Sequence, residues 1–241
     1  MLKQDAITPL YVQLMEELET SIRNGVYKPG DKIMTEPEMA KEYGVSLITV
    51  RKAVGSLMEK GLVVRKQGKG TFVTKPKYSR NMKKLQSFTE MCEQMGVKPG
   101  AQVLENRLIM ADKKVADRLG IEPGSNVVYI SRLRLADGEP VQVEKSYFPL
   151  KYAFLLEEDL NNGSMFECLK EKAGAKVASS EKMIELCRAT AEEAALMDVK
   201  KGDYLLFVKS TAYDENGEPM YAGIQLINGD RFSLYVYESG K

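Results

Sequence analysis

A chain of 241 residues, 44% of them apolar and 8% aromatic, has room for one large domain or two small ones and is too apolar for wholesale disorder. It has no histidine, which removes Ser-His-Asp and Cys-His nucleophiles, HExxH zinc sites and imidazole acid–base chemistry. The formal charge of +1 hides an asymmetry: residues 1–84 carry 16 Lys/Arg against 9 Asp/Glu, a net +7, and residues 85–241 carry 19 against 25, a net −6, so only the front suits a polyanion.

The opening Met1-Leu2-Lys3-Gln4-Asp5 turns polar at once, with no apolar signal core behind it. No run of about 18 apolar residues follows, so neither a membrane span nor a membrane partner is expected. Cys92, Cys168 and Cys187 are too scattered for a disulfide framework or a CxxC metal pair, and a reducing cytoplasm is the expected location. Thr8-Pro9 reads as a cap with proline at the first helical position. The helix it opens has Leu14, Leu18 and Ile22 on one face and Gly25 at its stop.

Thr35-Glu36-Pro37-Glu38 fits a capping box and starts a second, short helix ending at Tyr43-Gly44-Val45. Ser46 caps a third, with Val50, Val54 and Leu57 inward and Gly61 at its end. Two short helices across a glycine turn, the second polar on its outer face, make a helix-turn-helix. Strand-like stretches 62–66 and 71–74, turning at Gln67-Gly68-Lys69-Gly70, form a wing. Residues 76–84, with Lys77, Arg80, Lys83 and Lys84, read as a basic linker.

Beyond it the chain repeats itself at an offset of 78. A helix after Val115 leads through Gly120-Ile121-Glu122-Pro123-Gly124 to the strand Val127-Val128-Tyr129-Ile130. A helix from Glu192 leads through Val199-Lys200-Lys201-Gly202 to Leu205-Leu206-Phe207-Val208. Each strand runs to a hairpin signal, Asp137-Gly138 or Asn216-Gly217, dipeptides that supply the positive φ of a two-residue loop. The expected class is α+β: a winged helix-turn-helix over residues 1–75, a linker over 76–84, and an antiparallel-sheet domain over 85–241 built from two helix-hairpin units.

The residues Pro9-Leu10-Tyr11-Val12-Gln13, Ile22-Arg23-Asn24-Gly25, Pro29-Gly30-Asp31, Ser46 to Arg51 and Gln67 to Val73 together resemble the GntR family of bacterial regulators. The rear, with Arg132-Leu133-Arg134, its Gly-Glu-Pro turns and Gly229-Asp230-Arg231, resembles the UTRA effector domain of that family's HutC branch. The resemblance spans about residues 8–237 and implies a chorismate-lyase-like fold for the rear domain.

Helix three is expected in the major groove, with Ser46, Thr49, Arg51 and Lys52 as candidate DNA contacts beside Thr35 and Glu36 at the start of helix two. Lys66, Gln67, Gly68 and Lys69 are the wing candidates, since glycine lets backbone approach DNA and lysine supplies charge to phosphates. Many relatives carry arginine where this chain has Pro37 and Leu47, so base readout differs here, and Leu47 suits a thymine methyl. Arg132 and Arg134, two apart on a strand, point to one face and make a clamp for phosphate or carboxylate. The resemblance implies that they hold the effector's anionic group, assisted by Ser87, Thr89 and Ser164, with Glu144 accepting sugar or amine hydrogen bonds. Tyr221 stands where relatives often have glutamate, at the effector's far end.

The expected function is a homodimeric, DNA-binding transcription regulator, a repressor answering to a phosphorylated sugar or amino sugar on a double-stranded DNA operator. A non-sugar carboxylate effector and a ligand-free dimerisation module are the alternatives within that reading. A chorismate-lyase-like enzyme is the alternative outside it, and the absence of histidine or any nucleophile motif argues against it. No cofactor or metal is expected.

Overall fold

Local capping signals lay out the front of the chain, and a computed structural model describes Leu2 and residues 7–66, 68–75, 77–161 and 163–239. Helix α1 spans Leu10–Arg23. Pro9 is its N-cap, in extended backbone at φ −57°, ψ 142°, so the helix begins one residue later than the sequence pattern places it. Thr8 contributes its carbonyl, which accepts from Gln13 Nε2 at 2.7 Å, rather than its hydroxyl. Helix α2, Glu36–Tyr43, opens with the full capping box: Thr35 Oγ1 accepts from Glu38 N, and Thr35 N donates to Glu38 Oε2 at 2.7 Å. Gly44 ends α2 at φ 66°, a left-handed turn that brings the chain straight into α3, Leu47–Glu59, capped by Ser46.

Strands β1, Val63–Lys66, and β2, Gly70–Val73, pair antiparallel as the wing, and Lys32 bridges to Phe72 on its free side. Leu14, Leu18, Ile33, Met39, Val50, Val54, Leu57, Val63 and Val73 form one buried cluster, so all three helices and the wing share a single core. The chain divides into two compact units, Met1–Pro76 and Lys77–Lys241.

The second unit opens with strand β3, Tyr78–Asn81, inside the stretch expected to be linker. It pairs in parallel with β10, Phe232–Tyr235, the last strand of the chain. After the short helix α4, Phe88–Gln94, come β4, Pro99–Met110, helix α5, Lys113–Leu119, and the hairpin β5, Asn126–Ala136, and β6, Glu139–Pro149. A 3-10 turn over Leu150–Leu156 leads to helix α6, Met165–Ala173. Then the pattern returns as β7, Ser179–Arg188, helix α7, Ala191–Leu196, and the hairpin β8, Tyr204–Tyr213, and β9, Pro219–Asn228. The strands form one antiparallel sheet in the order β4-β5-β6-β9-β8-β7, with the two copies meeting where β6 pairs with β9. Each repeat is therefore strand-helix-hairpin, one strand more than the sequence pattern predicts.

Asp137 and Gly138 make the expected two-residue loop with φ of 52° and 77°. The second copy differs. Asn216 keeps an ordinary φ, and Asp214 Oδ1 instead accepts from Asn216 N and Glu218 N, closing a longer loop between β8 and β9. One sheet face packs α5 and α7, through Val127 and Ala222 at one end and Leu133, Val143 and Leu205 at the other. The opposite face carries two apolar clusters, one under α6 with Ile130 and Phe148, the other under α4 with Val208 and Ile227. Polar side chains occupy the ground between them.

Candidate functional site

In the first unit the exposed face of α3 and the wing strand β1 present their cations together. Glu36 is the link: its Oε2 accepts from Arg51 Nε at 2.9 Å, and its Oε1 accepts from Arg65 Nη2. One carboxylate so fixes two long side chains from two elements, leaving their remaining N–H groups exposed. Ser46 Oγ accepts from Thr49 N and lies 2.9 Å from Thr49 Oγ1, so cap and first-turn hydroxyl form a local pair. Lys52 Nζ sits 3.9 Å from the centre of the Tyr11 ring, and Lys66 Nζ 5.5 Å from that of Phe72. Leu47 and Ile48 are exposed apolar side chains on the first turn of α3.

In the second unit, the β5–β6–β9 register lines Arg132, Glu144 and Gln225 up as one rung of the sheet. Arg132 and Arg134 are each 2% exposed. Arg132 Nη2 donates to Glu144 Oε2 at 3.2 Å and Nη1 to the Gly163 carbonyl at 3.4 Å. Arg134 Nη2 donates to Thr89 Oγ1 at 3.3 Å, while its guanidinium lies 4.5 Å from the centre of the Phe88 ring. Its Nε stands 4.0 Å from Glu144 Oε2, too far for a hydrogen bond. Arg132 Nε and Arg134 Nε and Nη1 are buried without a hydrogen-bond partner. Buried guanidinium N–H groups in that condition are costly, and an anion entering the cleft can supply the acceptors they lack.

Burial would raise the Glu144 carboxyl, yet Arg132 and Arg134, with Arg80 behind them, hold it below the usual carboxylate range. Burial also draws Arg134 down to about 10, still fully charged near neutral pH. Ser87, Phe88 and Thr89 from α4 and Ser164, Met165 and Phe166 from α6 close the cleft, with Tyr221 at its floor. The Ser87 and Ser164 hydroxyls accept backbone N–H bonds as helix caps, which leaves each hydroxyl proton for an acceptor in the cleft. Tyr221 packs against Phe148 and Phe166, and burial, reinforced by Glu144, pushes its phenol well above the ordinary value.

Residues 10–73 match the bacterial regulatory proteins of the gntR family, and residues 94–233 match the UTRA domain. The chain belongs to the GntR family. It is 34% identical to the HTH-type transcriptional repressor NagR of Bacillus subtilis over 235 residues, 98% of this chain and 96% of NagR. It is 29% identical over 228 residues to a probable fructoselysine utilization operon transcriptional repressor of Escherichia coli, covering 94% of this chain and 93% of that one. Among solved structures, PhnF from Mycobacterium smegmatis superposes with a TM-score of 0.68 at 25% identity, over 94% of this chain and 99% of PhnF.

Seven side chains expected around the effector of this GntR regulator, Ser87, Thr89, Arg132, Arg134, Glu144, Ser164 and Tyr221, line one cleft. On the DNA-binding unit, Ser46, Thr49, Arg51, Lys52, Lys66, Gly68 and Lys69 lie on or beside the α3–wing face, while Gln67 falls outside the described residues. Thr35 forms its capping box with Glu38, and both Glu36 carboxylate oxygens hold arginines. Two residues that the structure places at these surfaces are missed by sequence reasoning. Arg65 looks like one more exposed cation, and only its shared carboxylate with Arg51 singles it out. Arg80 looks like linker, yet it is 9% exposed and lines the cleft.

Proposed function

We propose that this GntR regulator is a homodimeric repressor that holds a double-stranded DNA operator and is switched by a small anionic effector, a phosphorylated sugar or amino sugar. The observation that carries the effector reading is the pair of buried arginines, Arg132 and Arg134, sharing one carboxylate and leaving three guanidinium nitrogens unbonded. A phosphate ester supplies the acceptors those nitrogens need, in the planar geometry a guanidinium favours. The fructoselysine repressor's name supports a sugar-derived effector.

Glu36-braced Arg51 and Arg65, with the Ser46–Thr49 turn, support DNA recognition through α3. One helix-turn-helix covers a half-site, and two-fold symmetric repressors match palindromic operators. The dimer surface proposed is β7, the sheet edge, whose Met183, Ile184 and Leu186 are exposed and whose outer backbone groups invite pairing. The protein acts in the cytoplasm, and among the described residues no helix is long and apolar enough to cross a membrane.

The test is a thermal-shift titration of the full chain with sugar phosphates and the matching unphosphorylated sugars. At least one phosphorylated member should raise the melting temperature where its unphosphorylated partner does not. Equal response to both, or response to neither, overturns the reading.

A further inference from the structure

Arg80 lies off β5, the strand that carries both arginines of the Arg132–Arg134 clamp. It lies on β3, which starts two residues after Pro76, where the DNA-binding unit ends. Its guanidinium is nevertheless buried in the cleft: Nη1 donates to Gln225 Oε1 at 3.1 Å and Nη2 reaches the Gln86 carbonyl at 3.5 Å. Gln225 stands opposite Glu144, and Glu144 opposite Arg132. Arg80, Gln225, Glu144 and Arg132 are thus consecutive members of one buried polar row.

The cleft therefore holds three guanidinium groups against one carboxylate, an excess of two positive charges in a low-dielectric site. A phosphate monoester, close to doubly charged near neutral pH, balances that excess where a single carboxylate does not. β3 is held to β10 by four paired residues in parallel register, with Tyr78 packed on Phe232 and its hydroxyl accepting from Arg231 Nη2, and with Lys77 Nζ on the Gly229 carbonyl. A short parallel pair of this kind is marginal by itself.

We propose that Arg80 is a third ligand of the effector's phosphate, and that the effector, by engaging it, fixes β3 against β10 and so constrains the chain leading into the DNA-binding unit. This rests on reading the cleft as an anion site. It makes the connecting segment part of the binding site, so that ligand occupancy and connector order become one equilibrium.

Inorganic phosphate serves as the probe, titrated calorimetrically into the full chain and into Arg80→Gln, Arg80→Lys and Arg134→Ala, with hydrogen exchange followed over residues 77–84. Losing one charge-assisted donor should weaken phosphate roughly ten- to a hundredfold in Arg80→Gln, with Arg80→Lys between it and wild type. In wild type, phosphate should slow exchange at Tyr78 and Met82, whose amides bond β10 and its flanks, and should not do so in Arg80→Gln. If Arg134→Ala loses phosphate while Arg80→Gln binds as wild type, the clamp stands and Arg80 is only a strut joining β9 to the loop before α4. Should Arg80→Gln fail to fold, wild type decides alone: phosphate that binds without slowing exchange at Tyr78 and Met82 overturns the proposal. No phosphate binding to wild type overturns both this and the anion-site reading.

Discussion

Glu144 faces Arg132 directly across the β5–β6 register, its Oε2 3.2 Å from Arg132 Nη2 and 4.0 Å from Arg134 Nε. Among the described residues that line the cleft with Arg80, Arg132 and Arg134, it is the only carboxylate. It limits how strongly the three cations repel one another and sets how much negative charge a ligand must bring.

Replacing Glu144 with glutamine leaves those buried guanidinium groups without a counterion. Breaking a buried pair from one side costs on the order of 3 kcal/mol, so the variant should unfold at lower urea. The pH dependence has a definite sign. Because the folded Glu144 carboxyl lies below its ordinary value, its stabilisation is present above the unfolded pKa and is lost as pH falls through the folded one. Wild type should therefore lose stability on acidification more steeply than Glu144→Gln, and urea melts across that range would show the curves converging. Inorganic phosphate should stabilise the variant more than wild type, by replacing the missing charge. Parallel curves, or no rescue, would show that the pair is not coupled as its geometry implies.

Glu36 performs the matching task in the DNA-binding unit, where its two oxygens hold Arg51 and Arg65. Glu36→Gln removes a negative charge from the surface proposed to meet phosphates but also releases both arginines from fixed geometry. Affinity for random DNA should rise slightly while affinity for the footprinted operator falls, lowering their ratio about tenfold. Titrations on both DNAs at one salt concentration measure this. An unchanged ratio would mean that the arginines need no brace.

The dimer surface proposed on β7 is open to a charge test. Leu186, 66% exposed on the edge strand β7, tolerates a polar substitution in a monomer because it packs against nothing essential there. Leu186→Asp should fold with a near-wild-type melting curve in dilute solution, sediment as a monomer, and lose operator affinity through the lost half-site. A stable Leu186→Asp dimer would move the interface elsewhere.

What the sequence discloses and what it withholds divide by distance along the chain. Thr35 with Glu38, Ser46 with Thr49, and Gly44 at φ 66° are bonded within three or four residues, so the helix-turn-helix is legible from spacing alone. Arg132 and Arg134 are legible as a pair because two residues on a strand share a face. Arg80 is not, because a stretch rich in lysine reads as a solvated linker and only the pairing of β3 with the far end of the chain buries it. Strands β4 and β7 escape notice for a related reason: as sheet edges they are largely exposed and carry no clean apolar alternation. The second hairpin breaks its own Asn-Gly signal because the Asp214 side chain closes a wider loop.

The central claim, that one chain grips DNA with its front unit and answers to an anion in its rear unit, is tested most directly by Arg134→Ala on labelled operator. A sugar phosphate found by thermal shift is titrated into wild type and mutant complexes, and the change in DNA affinity is followed by fluorescence polarisation. Arg134 lies outside the DNA-binding unit, so the mutant should hold ligand-free operator as wild type does. Loss of its charge-assisted hydrogen bonds should raise the ligand concentration needed for the switch roughly ten- to a hundredfold. A mutant that switches at the wild-type concentration would contradict the account.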